Sequence, residues 1–128
     1  MFFRLVIVLF LAASIFSQTK TIDVFIDGLE YRLVSYFNNG IHFVSLEELA
    51  GRLSARYYFD AEYSSAEIRV SDKCLRFTDK NNFVVYSDKS DNRKIFQTSI
   101  APYFSGSNMF IPLEIHLTSL SKVFDKTI

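Results

Sequence analysis

From Thr21 onward the chain alternates short apolar and polar positions broken by turn residues, the period-two signature of half-buried strands. Ile22-Asp23-Val24-Phe25-Ile26 comes first and residues 29–35 second. Asp27-Gly28 between them is a strong hairpin signal, because both residues tolerate positive φ. Asn38-Asn39-Gly40 marks the next turn, and Ile41-His42-Phe43-Val44 reads as a third strand. The period then changes. Ser45-Leu46-Glu47-Glu48 fits a capping box, with Ser45 accepting from an early helix amide and Glu48 reaching back to the Ser45 amide. Leu46, Leu49, Ala50 and Leu53 follow at helical spacing, one stripe to bury against a sheet. Further strands are predicted at 56–59, 66–70, 74–78 and 83–87, with the polar run 88–92 as a loop.

The last third restates the first. Phe110-Ile111-Pro112-Leu113-Glu114 matches Phe43-Val44-Ser45-Leu46-Glu47, each preceded by a turn, Ser105-Gly106-Ser107-Asn108 or Asn38-Asn39-Gly40. Pro112 suits a first helical turn, where its missing amide proton costs nothing. Leu113, Leu117, Leu120 and Phe124 supply the second apolar stripe. The pattern is that of an α+β domain built on a duplicated strand-turn-strand-helix unit.

The N-terminus follows a different rule. One cation, Arg4, precedes an uncharged apolar run from Leu5 to Phe16, then Ser17 and polar Gln18, the order of a secretory signal peptide. The run is about a dozen residues, short of the roughly 20 that span a bilayer. Residues 1–17 are therefore expected to be a cleaved leader, and residues 18–128 a single exported domain of the periplasm, cell wall or extracellular space, with no transmembrane anchor after cleavage. Its formal charge is −1, because loss of Arg4 leaves 13 Lys+Arg against 14 Asp+Glu. Its cations are dispersed, at Arg52, Arg56, Arg69, Lys73, Arg76, Lys80, Lys89, Arg93 and Lys94, which reads as a solvated surface and offers no stripe for nucleic acid. The lone Cys74 makes no intrachain bridge, so packing must hold the domain. Fourteen Phe and seven Tyr suit that role.

Two segments, 39–49 and 106–114, resemble the paired signature of the copper amine oxidase N-terminal-like domain. The likeness covers nearly all of residues 22–126. In that family a turn is followed by an aromatic-valine-proline-leucine step, a helix ending near glycine, and a strand with tryptophan-aspartate. Here Ser45 stands for the first proline, Ser54 for the helix-ending glycine, and Phe59-Asp60 for the final pair. The resemblance implies a twisted antiparallel sheet packed around two short helices. It also implies a non-catalytic module of exported bacterial proteins, often N-terminal to an N-acetylmuramoyl-L-alanine amidase domain, acting at the cell wall. The second repeat stops at Lys126-Thr127-Ile128 without the two strands that follow the first, so it reads as truncated and the chain as the front of a longer amidase.

Copper chemistry does not come with the name, since three histidine ligands are needed and the chain has His42 and His116 only. A rival expectation is a small zinc hydrolase in which His42, His116 and Glu48 or Glu114 supply three ligands. No HxxE or HExxH spacing, nucleophile elbow or phosphate loop supports it, so no catalytic residue, metal site or cofactor is assigned. Aromatic residues are the remaining binding feature. Tyr57, Tyr58 and Tyr63, beside Arg56 and Glu62, are candidates to stack on an N-acetyl sugar of peptidoglycan, against the plainer expectation of cross-strand packing. The expected function is a cell-wall-associated module binding peptidoglycan or another envelope component. The alternative in another class is a stand-alone secreted scaffold or adhesion protein.

Overall fold

The computed structural model describes residues 18–90 and 92–128. The predicted leader, residues 1–17, lies outside the described residues. The described residues form ten strands and two helices, in order: β1 (Gln18–Ile26), β2 (Leu29–Asn38), β3 (Ile41–Ser45), α1 (Leu46–Arg52), β4 (Arg56–Asp60), β5 (Ser65–Val70), β6 (Lys73–Thr78), β7 (Phe83–Ser87), β8 (Arg93–Gln97), β9 (Tyr103–Ser105), β10 (Asn108–Pro112) and α2 (Leu113–Phe124). The class is α+β. The strands form two antiparallel sheets rather than the single one expected, in orders β1-β2-β3-β10-β9 and β4-β5-β6-β7-β8. The second sheet is a plain meander inserted between the two halves of the first.

Local chemistry sets the ends of these elements. Asp27 and Gly28 both take positive φ (51° and 80°) between the paired Ile26 and Leu29, the turn that an Asp-Gly pair favours. Ser45 caps α1 by accepting from Glu48 N at 3.3 Å; the reciprocal bond from Glu48 is not formed. The helix closes with Ala55 N donating to Ala50 O at 2.8 Å, and Ser54 just after it sits at φ 57°, the left-handed conformation usual for glycine at a helix end.

Both helices lie between the sheets. α1 touches β2, β3 and β10 on one side and β4 and β5 on the other, while α2 touches β3, β10 and β6. Leu46, Leu49, Ala50 and Leu53 are accordingly sealed from water, and they join Leu33, Val44, Ile68, Leu75, Phe77 and Ile111 in one core. Burying apolar side chains of this size contributes about 1.5–3 kcal/mol each. Two hydrogen bonds and one ring contact tie β9 and its approach to the second sheet or its turns: Asp79 accepts from Phe104 N at 2.8 Å, Lys80 N donates to Pro102 O at 2.9 Å, and the rings of Phe59 and Phe104 meet at 5.1 Å.

β3 and β10 join the two halves of the first sheet, with Val44 opposite Ile111, Ser45 opposite Phe110 and Phe43 opposite Pro112. A shift of 67 positions carries Val44 onto Ile111, and the start of α1 at Leu46 onto the start of α2 at Leu113. The same shift carries the pair Asn38–Ile41 at the end of the β2–β3 hairpin onto Ser105–Asn108 at the end of β9–β10. Side chains follow suit on the face turned away from the helices. Tyr36 meets Phe110 at 5.1 Å and Tyr103 meets Phe43 at 5.2 Å, with Tyr103 stacked on Phe110 at 5.4 Å.

Candidate functional site

Alternation along the second sheet sends Tyr57, Ile68, Leu75, Val84 and Phe96 towards the helices and their neighbours outward. The outward row runs Tyr58, Glu67, Arg76, Val85, Ile95 across all five strands, and the next runs Arg56, Arg69, Cys74, Ser87, Arg93. Two-residue hairpins and short turns thus bring cations distant in sequence onto one surface. Five of the nine cations spread along the sequence, Arg69, Lys73, Arg76, Lys89 and Arg93, come together to line a single surface groove of about 920 Å³. Glu67, Asp72 and Asp88 are its acidic members, so basic side chains are in excess.

The groove floor is organised by charge-assisted bonds. Glu67 pairs with Arg69 on one side and accepts from the Cys74 thiol at 3.0 Å on the other. Arg76 donates to Ser65 Oγ at 3.2 Å and to Asp60 at 3.3 Å, which holds its guanidinium across the sheet. Burial, reinforced by the Glu67 carboxylate, pushes the Cys74 thiol up to about 11. At neutral pH the thiolate is therefore on the order of one molecule in ten thousand, too scarce for a nucleophile. Cys74 is a structural donor.

Of the three candidate tyrosines, Tyr58 and Tyr63 stand on the outer side. Arg69 lies over the Tyr58 ring at 4.8 Å and Arg76 over Tyr63 at 5.9 Å, so each ring is backed by a cation that lines the groove. Tyr63 is 66% exposed and Tyr58 41%. Tyr57 is not with them. It faces inward, and its hydroxyl donates to Ser107 O at 2.9 Å and accepts from Met109 N at 3.3 Å, clamping the β9–β10 hairpin. Burial raises its hydroxyl above the usual tyrosine range, partly offset by the Met109 amide.

The histidines are also apart in role. His42 pairs through Nδ1 with Glu114, which also accepts from the His42 amide, so the first turn of α2 is fastened to β3. His116 is buried in the core, edge-on to Phe77 with ring centroids 5.0 Å apart, and its Nε2 has no partner. Burial lowers it to about 4, so it is neutral at pH 7. Glu48 gives the α1 cap only its backbone amide. Among the described residues no group of three His, Cys, Asp or Glu side chains is placed to hold a metal ion.

Sequence reasoning missed Arg69, Arg76 and Arg93 as a set and the ring cluster Tyr36, Phe43, Tyr103 and Phe110. Strand parity carried the first signal: Arg69 and Arg76 fall on outward positions either side of the Ser71-Asp72 turn. The 67-position shift carried the second, since it places Tyr36 on Tyr103. Among the described residues no helix is long and apolar enough to cross a membrane. No protein family, curated protein or solved structure matches the chain.

Proposed function

We propose that the chain is a non-catalytic, exported module that holds peptidoglycan on the outward face of its second sheet. In this proposal it is the cell-wall-associated N-terminal region of an N-acetylmuramoyl-L-alanine amidase whose catalytic domain lies elsewhere. The observation that carries the reading is a groove whose Arg69 and Arg76 lie over the exposed rings of Tyr58 and Tyr63, so that cations and aromatic faces adjoin on one side of the sheet. Peptidoglycan alternates sugar rings with peptide stems that carry carboxylates. Exposed tyrosines suit the apolar faces of the sugars, and a surplus of guanidinium and ammonium groups suits the carboxylates. The proposal includes kinship with copper amine oxidase N-terminal-like domains through duplication. Supporting it, one shift of 67 positions relates the two motifs, the two hairpin registers and the two helix starts.

Sedimentation of the mature chain with purified sacculi tests this. Wild type is expected to pellet with sacculi, and Tyr58→Ala combined with Arg69→Ala to pellet several-fold less at equal concentration. A wild type that stays in the supernatant with its circular dichroism intact removes the wall-binding proposal.

A second reading, the stand-alone scaffold or adhesion protein, is favoured by β8. All five of its residues are exposed, it forms one edge of its sheet, and Ile95 is 68% accessible. Such an edge is a template for pairing with another chain. Sedimentation equilibrium of the mature chain decides this: a monomer at tens of micromolar excludes self-association as its working state.

A further inference from the structure

A second concavity lies on the other side of the second sheet, lined by residues of β6, β7, β8 and α2. Its volume is about 520 Å³, within the range of small-molecule sites. Phe96, Tyr86 and Val123 form its apolar wall, and Thr118 and Ser119 add hydroxyls from the exposed side of α2. Its charged lining is Lys73, Lys94 and Lys122, one each from β6, β8 and α2, and among the described residues no carboxylate lines it. Asp88 accepts from the Tyr86 hydroxyl at 3.4 Å, and it and Asp72, whose charge also acts on Tyr86, line the outward groove.

Three ammonium groups drawn from separate elements repel one another, and the apolar wall they flank leaves Phe96 37% exposed. A ligand that neutralises the lysines and covers Phe96 relieves both costs. We infer that this groove binds a small anionic amphiphile, a single acidic head group on one acyl or aryl body. The head sits among Lys73, Lys94 and Lys122, and the body lies along Phe96 and Val123 between α2 and β8. Lys73 borders both this groove and the outward one, but Lys94, Lys122, Phe96 and Val123 line this groove and not the other, so variants at Lys94 and Lys122 test it apart from the peptidoglycan proposal.

Calorimetric titration of the mature chain with dodecyl phosphate, kept below its micelle concentration, is the test. One-to-one saturable binding is expected. Dodecyltrimethylammonium, with the same body and opposite charge, is expected to give no saturable heat, and inorganic phosphate alone to bind at least tenfold more weakly than the amphiphile. The double variant Lys94→Gln, Lys122→Gln changes two exposed side chains and is expected to fold normally and bind about tenfold more weakly. Equal binding of the cationic and anionic amphiphiles overturns the inference, as does unchanged affinity in the double variant. Anionic phospholipid vesicles form the last arm: sedimentation with vesicles that excess dodecyl phosphate does not reverse assigns the lysines to a membrane surface and likewise overturns it.

Discussion

His116 is the one histidine sealed inside the core, and it occupies the position that the 67-residue shift equates with Leu49. Its folded-state value of about 4 lies below the 6.5 of an unfolded histidine. The unfolded chain therefore binds the proton first as pH falls. Stability from this group is complete above about pH 6.5 and declines towards pH 4, by up to about 3 kcal/mol. His116→Leu removes both the slope and the unpartnered Nε2. Urea denaturation from pH 7.5 to 4.5 is expected to show the variant gaining on wild type as the solution is acidified; parallel curves defeat this account. Tyr57 carries the complementary lesson about hydroxyls. Tyr57→Phe leaves the Met109 amide without its acceptor and is expected to cost about 1–2 kcal/mol in thermal or urea unfolding. Sacculus binding is expected to survive. Loss of binding with the fold intact would return Tyr57 to the ligand face.

At the scale of elements, the end of α1 offers a repair. Ser54 adopts φ 57° where a Cβ is costly, so Ser54→Gly is expected to stabilise the domain by about 0.5–1 kcal/mol, partly offset by the greater freedom of glycine when unfolded. A lower melting temperature would show that the serine side chain has a role there. The same position shows what could be read in advance. The helix-ending site, the Asp27-Gly28 hairpin and the Ser45 cap were legible because each depends on a few adjacent residues. β8 was not, because period-two reading needs one buried face and all five of its residues are exposed. β9 was hidden by its length of three residues and by Ser105, which resembles a turn but pairs with Asn108. The groove was illegible for a different reason. Arg69 and Arg93 reach one surface through the β5-β6-β7-β8 order, and pairing order is a property of the assembled sheet. The tyrosines were visible as a cluster, yet only strand parity separates Tyr57 from Tyr58.

At the scale of the whole molecule, the two sheets differ in how they are closed. Each strand of the second sheet pairs only with its neighbours in sequence, whereas the first sheet depends on β3 meeting β10 after the entire second sheet has intervened. The chain end adds a still longer link: Asp27 N donates to Thr127 O at 2.7 Å, and Thr127 N donates back to Asp27 Oδ1 at 2.9 Å. Contacts distant in sequence carry a larger loop-closure cost and form late. Pulse-labelled hydrogen exchange during refolding is expected to protect the β5 and β6 amides before those of β10, and earlier protection of β10 would refute that order. The β3–β10 junction thus acts as a kinetic latch. While the meander assembles, β3 keeps one edge open. That interval, rather than the finished fold, is when the chain is most exposed to pairing with a neighbour.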